Sequence, residues 1–435
     1  MHTDSLDFPS FSIRLEPMTK PERMPLIQSG AWAVWDNKLI ILGGRDEGFH
    51  GLNQLQKPFK QSRVNQSIWA IDLNSFESLE LKLDPKNPEW EQLFSSNMQF
   101  EQDGSTLYIV GGFGARHSTD KQSDDTFDTL IAFDLPKLLS EIEQQGDPSK
   151  AVVAKACSPH LKVTGGELLK IGDLFYLCFG QCFEGVYDPG KSGLYTGAIR
   201  VFQLKDQEIT LVREIKHESL HRRDLNAVKI YQNEKTFLAG LGGVFDPKGN
   251  GYYNPVYYDP KKDECSVTVD SLKQLSNQYN CAKASIFDKE SNSCITVLLG
   301  GIGQNQYHTT GNSWENGDSG AKIPFVKSIT QMIFSKGQMY QYIQSPPQDP
   351  EMPGLLGANA IFIPSSAFKN EESFIDYSLL KNQVSTIGLL YGGIEAQRPT
   401  SSTIYPTRVN QVIYKVLLEK NEDKSFQTLT RSRLG

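Results

Sequence analysis

The sequence predicts an all-β fold made of six copies of one four-stranded antiparallel unit, on three observations. First, a short apolar run ending in glycine recurs as LIILGG (39–44), LYIVGG (107–112), LFYLCFG (174–180), FLAGLGG (237–243), ITVLLGG (295–301) and IGLLYGG (387–393), at intervals of about 60 to 90 residues. Second, each run follows another short apolar stretch and a turn, such as 31–35 before Asp36-Asn37 and 98–100 before Asp103-Gly104, so the two read as a hairpin. Third, a further strand-like segment follows each run: NQSIWAIDL from Asn65, DTLIAFDL from Asp128, GAIRVFQL from Gly197, NPVYYD from Asn254, KSITQMIF from Lys327 and NQVIYKVLL from Asn410. A fourth, more polar strand is visible at 78–82 and 208–213. With 36 Gly, 17 Tyr and 23 Phe, the composition favours strands joined by tight turns over helices.

A sheet whose second strand is apolar on successive residues must be covered on both faces. Six such sheets cover one another by closing into a ring, a six-bladed β-propeller. Glycines at the end of the second strand suit wedge-shaped blades, because a residue without Cβ permits close backbone approach near the axis and φ > 0. The blades start near residues 29, 96, 164, 223, 279 and 357 of a single domain over 1–420. This pattern resembles the kelch-repeat propellers, whose mark is a di-glycine after an apolar strand with an aromatic and an Asp further on. The first copy matches best, with Gly43, Gly44, Trp69 and Asp72. The third copy departs from it, reading Gly180-Gln181 for Gly-Gly, and copies three, five and six lack the later Asp. Arg45, Gly48 and His50 after the first glycine pair, with HRRDLN from His221, are similar to a group of uncharacterised bacterial kelch proteins, which implies the fold and no known activity.

The chain after Leu418 turns charged and polar (EKNEDKS), leaving the sixth blade one strand short. The alternating segment FSIRLEPM at 11–18 is expected to supply that strand, closing the ring and removing an open edge. Residues 421–435 are expected to be a disordered tail, a possible recognition signal for a partner or a secretion machine. Residues 135–145 place Leu138, Leu139 and Ile142 at helical intervals, with Asp134 as cap and Gly146 as stop, so a short helix should decorate the second blade. The stretches 303–322 and 345–357 read as polar loops, and 365–383 interrupts the hairpin of the sixth blade.

Charge and composition exclude several classes. The 44 basic residues against 51 acidic give a net charge of −7, which disfavours bulk electrostatic binding of nucleic acid. No apolar run approaches the roughly 18 residues of a membrane span. The first nine residues lack the basic and apolar regions of a secretory signal, so a cytoplasmic location and a monomer are the expectation. Of the six cysteines, Cys281 and Cys294 are the one pair worth testing as a bridge. Hairpin register sets Cys294 opposite about Phe287 and Cys281 near Gly300, too far apart for a disulfide, so all six are read as reduced thiols.

In a propeller the innermost strand begins on the face where the second strand ends, so two sets of residues should converge there. After the glycines come Arg45, Glu47 and His50, then Arg116 and His117, then Glu184, Gln304, and finally Glu395 and Arg398. Before the inner strands come Arg222, Arg223 and Asp224, with Asn280 before another. Two guanidinium groups and a carboxylate at the start of a channel-lining strand cost desolvation unless paired or used. One arginine is expected to brace a neighbouring blade and the other to clamp a carboxylate, phosphate or acidic sugar in a two-pronged contact. His50, His117 and His308 with Glu47 or Glu184 could form a metal set, but their spacing is not local, and neither a metal nor a cofactor is expected.

The expected function is binding of an anionic small molecule or a protein partner through this loop face, without covalent chemistry. Two other readings stay open. One is a sugar-acid mutarotase or epimerase, by similarity to bacterial kelch enzymes, with Arg222 or Arg223 as clamp and Glu47, His50 or His117 as acid–base groups. The other is a translocated effector that binds a host protein.

Overall fold

The computed structural model describes the chain apart from residues 1–7, 19–23, 49–58, 117–122, 188–192, 262–266, 304, 309–312, 317–323, 345, 347–348, 371–372, 400–405, 422–428 and 432–435. Six meanders of four antiparallel strands follow one another. The first is built from Ala31–Trp35, Lys38–Leu42, Ser67–Asp72 and Ser78–Lys82. The second uses Gln99–Asp103, Thr106–Val110, Thr129–Asp134 and Val152–Cys157, and the third Glu167–Ile171, Leu174–Cys178, Ala198–Lys205 and Glu208–Lys216. The fourth comprises Asn226–Gln232, Lys235–Leu241, Val256–Tyr258 and Val267–Val269, and the fifth Ala282–Asp288, Ser293–Leu299, Ile329–Ser335 and Gln338–Ile343. The sixth joins Ile361–Pro364, Val384–Tyr391 and Ile413–Lys420 to Phe11–Met18, which pairs Phe11 with Lys420 through Met18 with Ile413.

The strands belong to two compact units. One, Lys20–Leu225 with Ser402–Gln411, holds sheets one to three; the other, Met1–Thr19, Asn226–Ser401 and Val412–Gly435, holds sheets four to six. Inside each unit, consecutive sheets bury apolar faces against one another. Ile40 and Ile68 of the first sheet share a cluster with Leu107, Ile109 and Ile131 of the second. Val110 and Leu130 on the other face of that second sheet meet Leu168, Leu177 and Phe202 of the third. In the other unit, Val228 and Ile230 pack with Leu298 and Met332, and Ile286 and Val297 with Leu390, Val416 and Ile13. Burial on both faces is what the continuous apolar second strands require.

Two backbone positions recur in every copy. The residue directly after the second strand is left-handed, with φ +63 at Gly43, +65 at Gly111, +63 at Gly242, +61 at Gly300 and +62 at Gly392. In the third copy that place belongs to Phe179 (φ +61), followed by Gly180, so the pair is Phe179-Gly180 and the expected alignment on Gly180-Gln181 is one residue off. Glycine is required at most copies by close approach: a Cβ on Gly111 would lie 2.0 Å from the Val163 carbonyl oxygen. The second recurring position lies two residues before each inner strand, at Ser29, Asn97, Gly165, Asp224, Asn280 and Asn359, with φ between +50 and +65. At Asn97, Gly165, Asp224 and Asn359 the amide bonds back to the preceding copy. Asn97 donates to the Ser29 carbonyl at 3.0 Å, Asp224 to Gly165 at 2.7 Å and Asn359 to Asn280 at 2.8 Å.

Two glutamines, one buried and one half-buried, tie sheets together by imitating backbone. Gln344 accepts from the Ile13 amide at 2.6 Å and donates to the Ile13 and Pro350 carbonyls, both at 2.9 Å, which anchors the N-terminal strand. Gln102 does the same for Val34, accepting from its amide and donating to its carbonyl at 2.9 Å each.

The expected helix forms over Leu135–Gln144, capped by Asp134 on the Lys137 amide, with Leu138, Leu139 and Ile142 buried. Its left-handed stop is Gln145 rather than Gly146, whose amide closes on the Glu141 carbonyl. The stretches expected as loops contain a hairpin (Asn305–His308 with Ser313–Asn316) and the strand Leu355–Ala358. Ile375–Asp376, inside the interruption of the sixth hairpin, runs parallel to Ala282–Asp288. The tail expected to be disordered contains the strand Leu429–Arg431, paired with Tyr340–Tyr342, so that expectation is corrected for these residues. Cys294 lies opposite Phe287, as the hairpin register requires, and Cys157, Cys178, Cys182, Cys281 and Cys294 are all free thiols; Cys265 lies outside the described residues. Among the described residues, no helix is long and apolar enough to cross a membrane.

Two outcomes follow from this packing. Gln344→Ala should lower stability by about 2 to 3 kcal/mol, because three backbone groups lose a buried partner, whereas Gln144→Ala on the exposed helix face should cost under about 0.5 kcal/mol; equal urea midpoints for the two variants would contradict the anchoring role. Burial pushes the Cys281 and Cys294 thiols up to about 12, so both stay protonated at pH 8. Alkylation of the native protein should modify exposed Cys157 and spare Cys178, Cys281 and Cys294 in peptide maps, and modification of the buried thiols at the Cys157 rate would show that these sheets open readily.

Candidate functional site

The unit containing sheets one to three gathers most of the residues singled out from the sequence, some on three loops that each leave a second strand through the left-handed pair and the rest just before the fourth sheet. In the first loop, the Arg45 backbone is bridged to Gln28 on one side and Val64 on the other, which fixes where its side chain starts. Its Nε donates to Glu47 Oε1 at 2.7 Å, its Nη2 donates to Glu47 and to the Lys60 carbonyl, and the guanidinium lies 5.3 Å from the Phe59 ring centre. Burial lowers the Arg45 pKa against the opposing pull of Glu47, Asp46 and Asp124. Arg45 and Glu47 therefore brace the loop rather than present a waiting clamp.

The second and third loops are joined by an alternating chain of charges. Arg116 contacts Asp128 at 2.8 Å and Asp125 at 3.3 Å; Asp125 also meets Lys162 at 3.2 Å, and Lys162 reaches Glu184 at 2.5 Å. Asp125 and Glu184 face each other in a backbone bridge, and Thr126 and Phe183 exchange hydrogen bonds beside it. Burial works against the charge on Arg116, but the bond to Asp128 and the nearby carboxylates hold its pKa raised. Lys162 lowers the Glu184 pKa, although Glu184 is 72% exposed, so this end of the chain is a solvated cross-link.

The two adjacent arginines before the fourth sheet divide their work. Arg222 is 1% exposed; its Nε donates to the Ser219 carbonyl at 2.7 Å, and its own carbonyl accepts from the Gly180 amide at 2.8 Å. This is the bracing arginine. Arg223 instead turns toward aromatic side chains: its Nη2 meets the Tyr187 hydroxyl at 3.5 Å, and its Nε lies 3.6 Å from Asp224. Burial opposes its charge, but Asp224, Tyr187 and Tyr195 outweigh that and raise its pKa above the ordinary arginine value. The Asp224 carboxyl is pushed up by burial and pulled down less by Arg223. Asp224 also takes the left-handed position before its strand, so its residue type has a backbone reason as well as an electrostatic one.

The sequence reading missed the aromatic shell around these arginines. Phe59, Phe113, Phe183 and Tyr187, from all three loops, form one cluster: Phe59 lies 5.3 Å from Phe113 and 5.2 Å from Tyr187, and Phe183 lies 5.2 Å from Tyr187 and 5.7 Å from Phe113, centre to centre. Arg45 sits over Phe59 on one side and Arg223 reaches Tyr187 on another. Tyr195 stacks on His221 at 4.0 Å with 15° between the planes. The available signal was position. Phe113 follows Gly112 directly and Phe183 stands three residues after Gly180, on the loops searched for charge alone.

The remaining predicted residues are not in this unit or are not described. Asn280, in the other unit, is left-handed, and its carbonyl accepts the Asn359 amide, which gives it a backbone role in the turn. Glu395 lies in the short strand Ile394–Ala396, where it adds to the burial that raises the Tyr414 pKa; Arg398 is exposed nearby in sequence. His50, His117 and Gln304 lie outside the described residues, as does the side chain of His308. Among the described residues, no group of three or more His, Cys, Asp or Glu side chains is placed to hold a metal ion.

The division of labour between the arginines is directly measurable. Arg222→Ala should cost about 2 kcal/mol or more in a urea titration, because a buried, charge-assisted hydrogen bond is lost, and Arg223→Ala should cost less. The reverse order would exchange their roles.

No protein-family model matches the chain, and no curated protein matches it. A solved structure of YjhT is 13% identical, with a TM-score of 0.47 over 92% of this chain and 99% of that one.

Proposed function

We propose that the six sheets are the blades of one kelch-type propeller and that the chain binds an anionic small ligand, a sugar acid being the best fit, at Arg223. Support for the ring comes from six like meanders in chain order and from the N-terminal strand that completes the sixth. The observation that carries the binding reading is the setting of Arg223. It stays charged at any working pH, and Tyr187, Tyr195 and the aromatic cluster stand beside it together with Asp224. A guanidinium fork pairs two oxygens of a carboxylate, and ring faces beside it suit the apolar face of a sugar. Arg45, Arg116 and Lys162, each already paired with carboxylates, add rigidity and not affinity.

An enzyme acting on the same ligand class is the second reading, and Asp224 is the observation that favours it. Asp224 stands beside the clamp, 3.6 Å from Arg223, and burial raises its pKa, so it is the carboxyl placed to carry a proton in opening or isomerising a sugar ring. Addition of a sugar acid should raise the melting temperature by several degrees at a hundredfold excess over Kd, equivalent to about 2.7 kcal/mol. The shift should vanish in Arg223→Ala and persist in Arg398→Ala. A shift that survives Arg223→Ala, or no shift with uronic acids, sialic acids or sugar phosphates, would refute the binding reading. Faster equilibration of the sugar anomers by the wild type and not by Asp224→Asn would select the enzyme.

A further inference from the structure

The fifth sheet differs from the first four at its outer edge. Its fourth strand, Gln338–Ile343, is buried from Met339 to Ile343, whereas Ser78–Lys82, Val152–Cys157, Glu208–Lys216 and Val267–Val269 each carry exposed positions. Tyr340 and Tyr342 are each only 8% exposed. Two segments from elsewhere in the chain supply the cover. Phe8 packs 5.4 Å from the Tyr340 ring, and Leu429–Arg431 adds one more antiparallel strand, with Tyr340 opposite Arg431, Gln341 opposite Thr430 and Tyr342 opposite Leu429. Among the described residues no other outer strand of the six sheets receives such an addition.

A strand edge that offers unpaired N–H and C=O groups beside aromatic residues is a template for another strand. The added strand makes three residue pairs, against six between Ile329–Ser335 and Gln338–Ile343, so it is held by half as many pairs as the strand it covers. We propose that the outer edge at Tyr340–Tyr342 is a β-strand addition site whose ligand is the extended segment around residue 430, donated here by the same chain and exchangeable with that of a second copy. Main-chain bonds give such a site affinity, and the tyrosines at 340 and 342 fix its register.

The test uses the full chain carrying Thr430→Pro, which removes an amide and bends the added strand, beside a second variant ending at Asn421. A fluorescent peptide of residues 425–435 (SFQTLTRSRLG) is titrated against both and against the wild type. Both variants should bind it at least tenfold more tightly than the wild type, whose edge is filled, and a peptide carrying the same Thr430→Pro change should not bind. The wild type should populate an exchanged dimer at high concentration in light scattering, and neither variant should, because neither carries a segment able to add to a second copy's edge. Equal binding by all three proteins, equal binding of the proline peptide, or no binding at all would overturn the proposal. If the shortened variant fails to fold, the full-length Thr430→Pro result decides alone.

Discussion

One backbone constraint organises the molecule: each inner strand is reached through a single left-handed residue two positions before it begins. That conformation turns the chain so that the residue's amide meets the carbonyl of its counterpart one copy earlier, as Asn97 does to Ser29, Asp224 to Gly165 and Asn359 to Asn280. A parallel set of bonds runs from the second residue of each glycine pair. Gly44 donates to Ser95, Gly112 to Val163, Gly180 to Arg222 and Gly301 to Leu356. Consecutive sheets within each unit are thus stitched at backbone level, and the apolar clusters between their faces complete the joint. Only Gly, Asn, Asp or another small polar residue tolerates the first position cheaply, which is why these residue types recur there.

The same constraint bears on which charges could serve the proposed ligand. Loops that leave a stitched corner start from fixed points, so their first side chains fall within reach of one another. Most of them spend that proximity on mutual neutralisation: Arg45 with Glu47, and Arg116 through Asp125 and Lys162 to Glu184. Arg222 is consumed by backbone. Arg223 contacts Asp224 at 3.6 Å and the Tyr187 hydroxyl at 3.5 Å, which sets its guanidinium beside aromatic side chains. Specificity in such a site would come from ring shape, and orientation from one guanidinium.

Strand order was readable because apolar runs on successive residues and turn dipeptides report directly on burial and on φ. The strand Phe11–Met18, which completes the sixth sheet, was readable for the same reason, as was the register that separates Cys281 from Cys294. The third copy was misaligned because its left-handed position holds Phe179, a residue whose type gives no hint of positive φ; its ring is 3% exposed. The strand Leu429–Arg431 escaped notice because an edge strand needs only main-chain partners, and its partner lies almost ninety residues earlier in the chain. At the site, charge was legible and its pairing was not. Whether an arginine clamps a ligand or a neighbour depends on side chains such as Asp125 and Lys162 that come from different copies.

The most direct measurement replaces Asn97 by glycine and by valine and compares unfolding free energies in urea. A position held at φ +54 accepts glycine with a change of under about 1 kcal/mol, and it penalises valine by about 2 to 3 kcal/mol more, because a β-branched side chain clashes in the left-handed region. That ordering is the result the stitched-corner account predicts. Equal stability of the glycine and valine variants would contradict it, since the corner would then not depend on left-handed backbone.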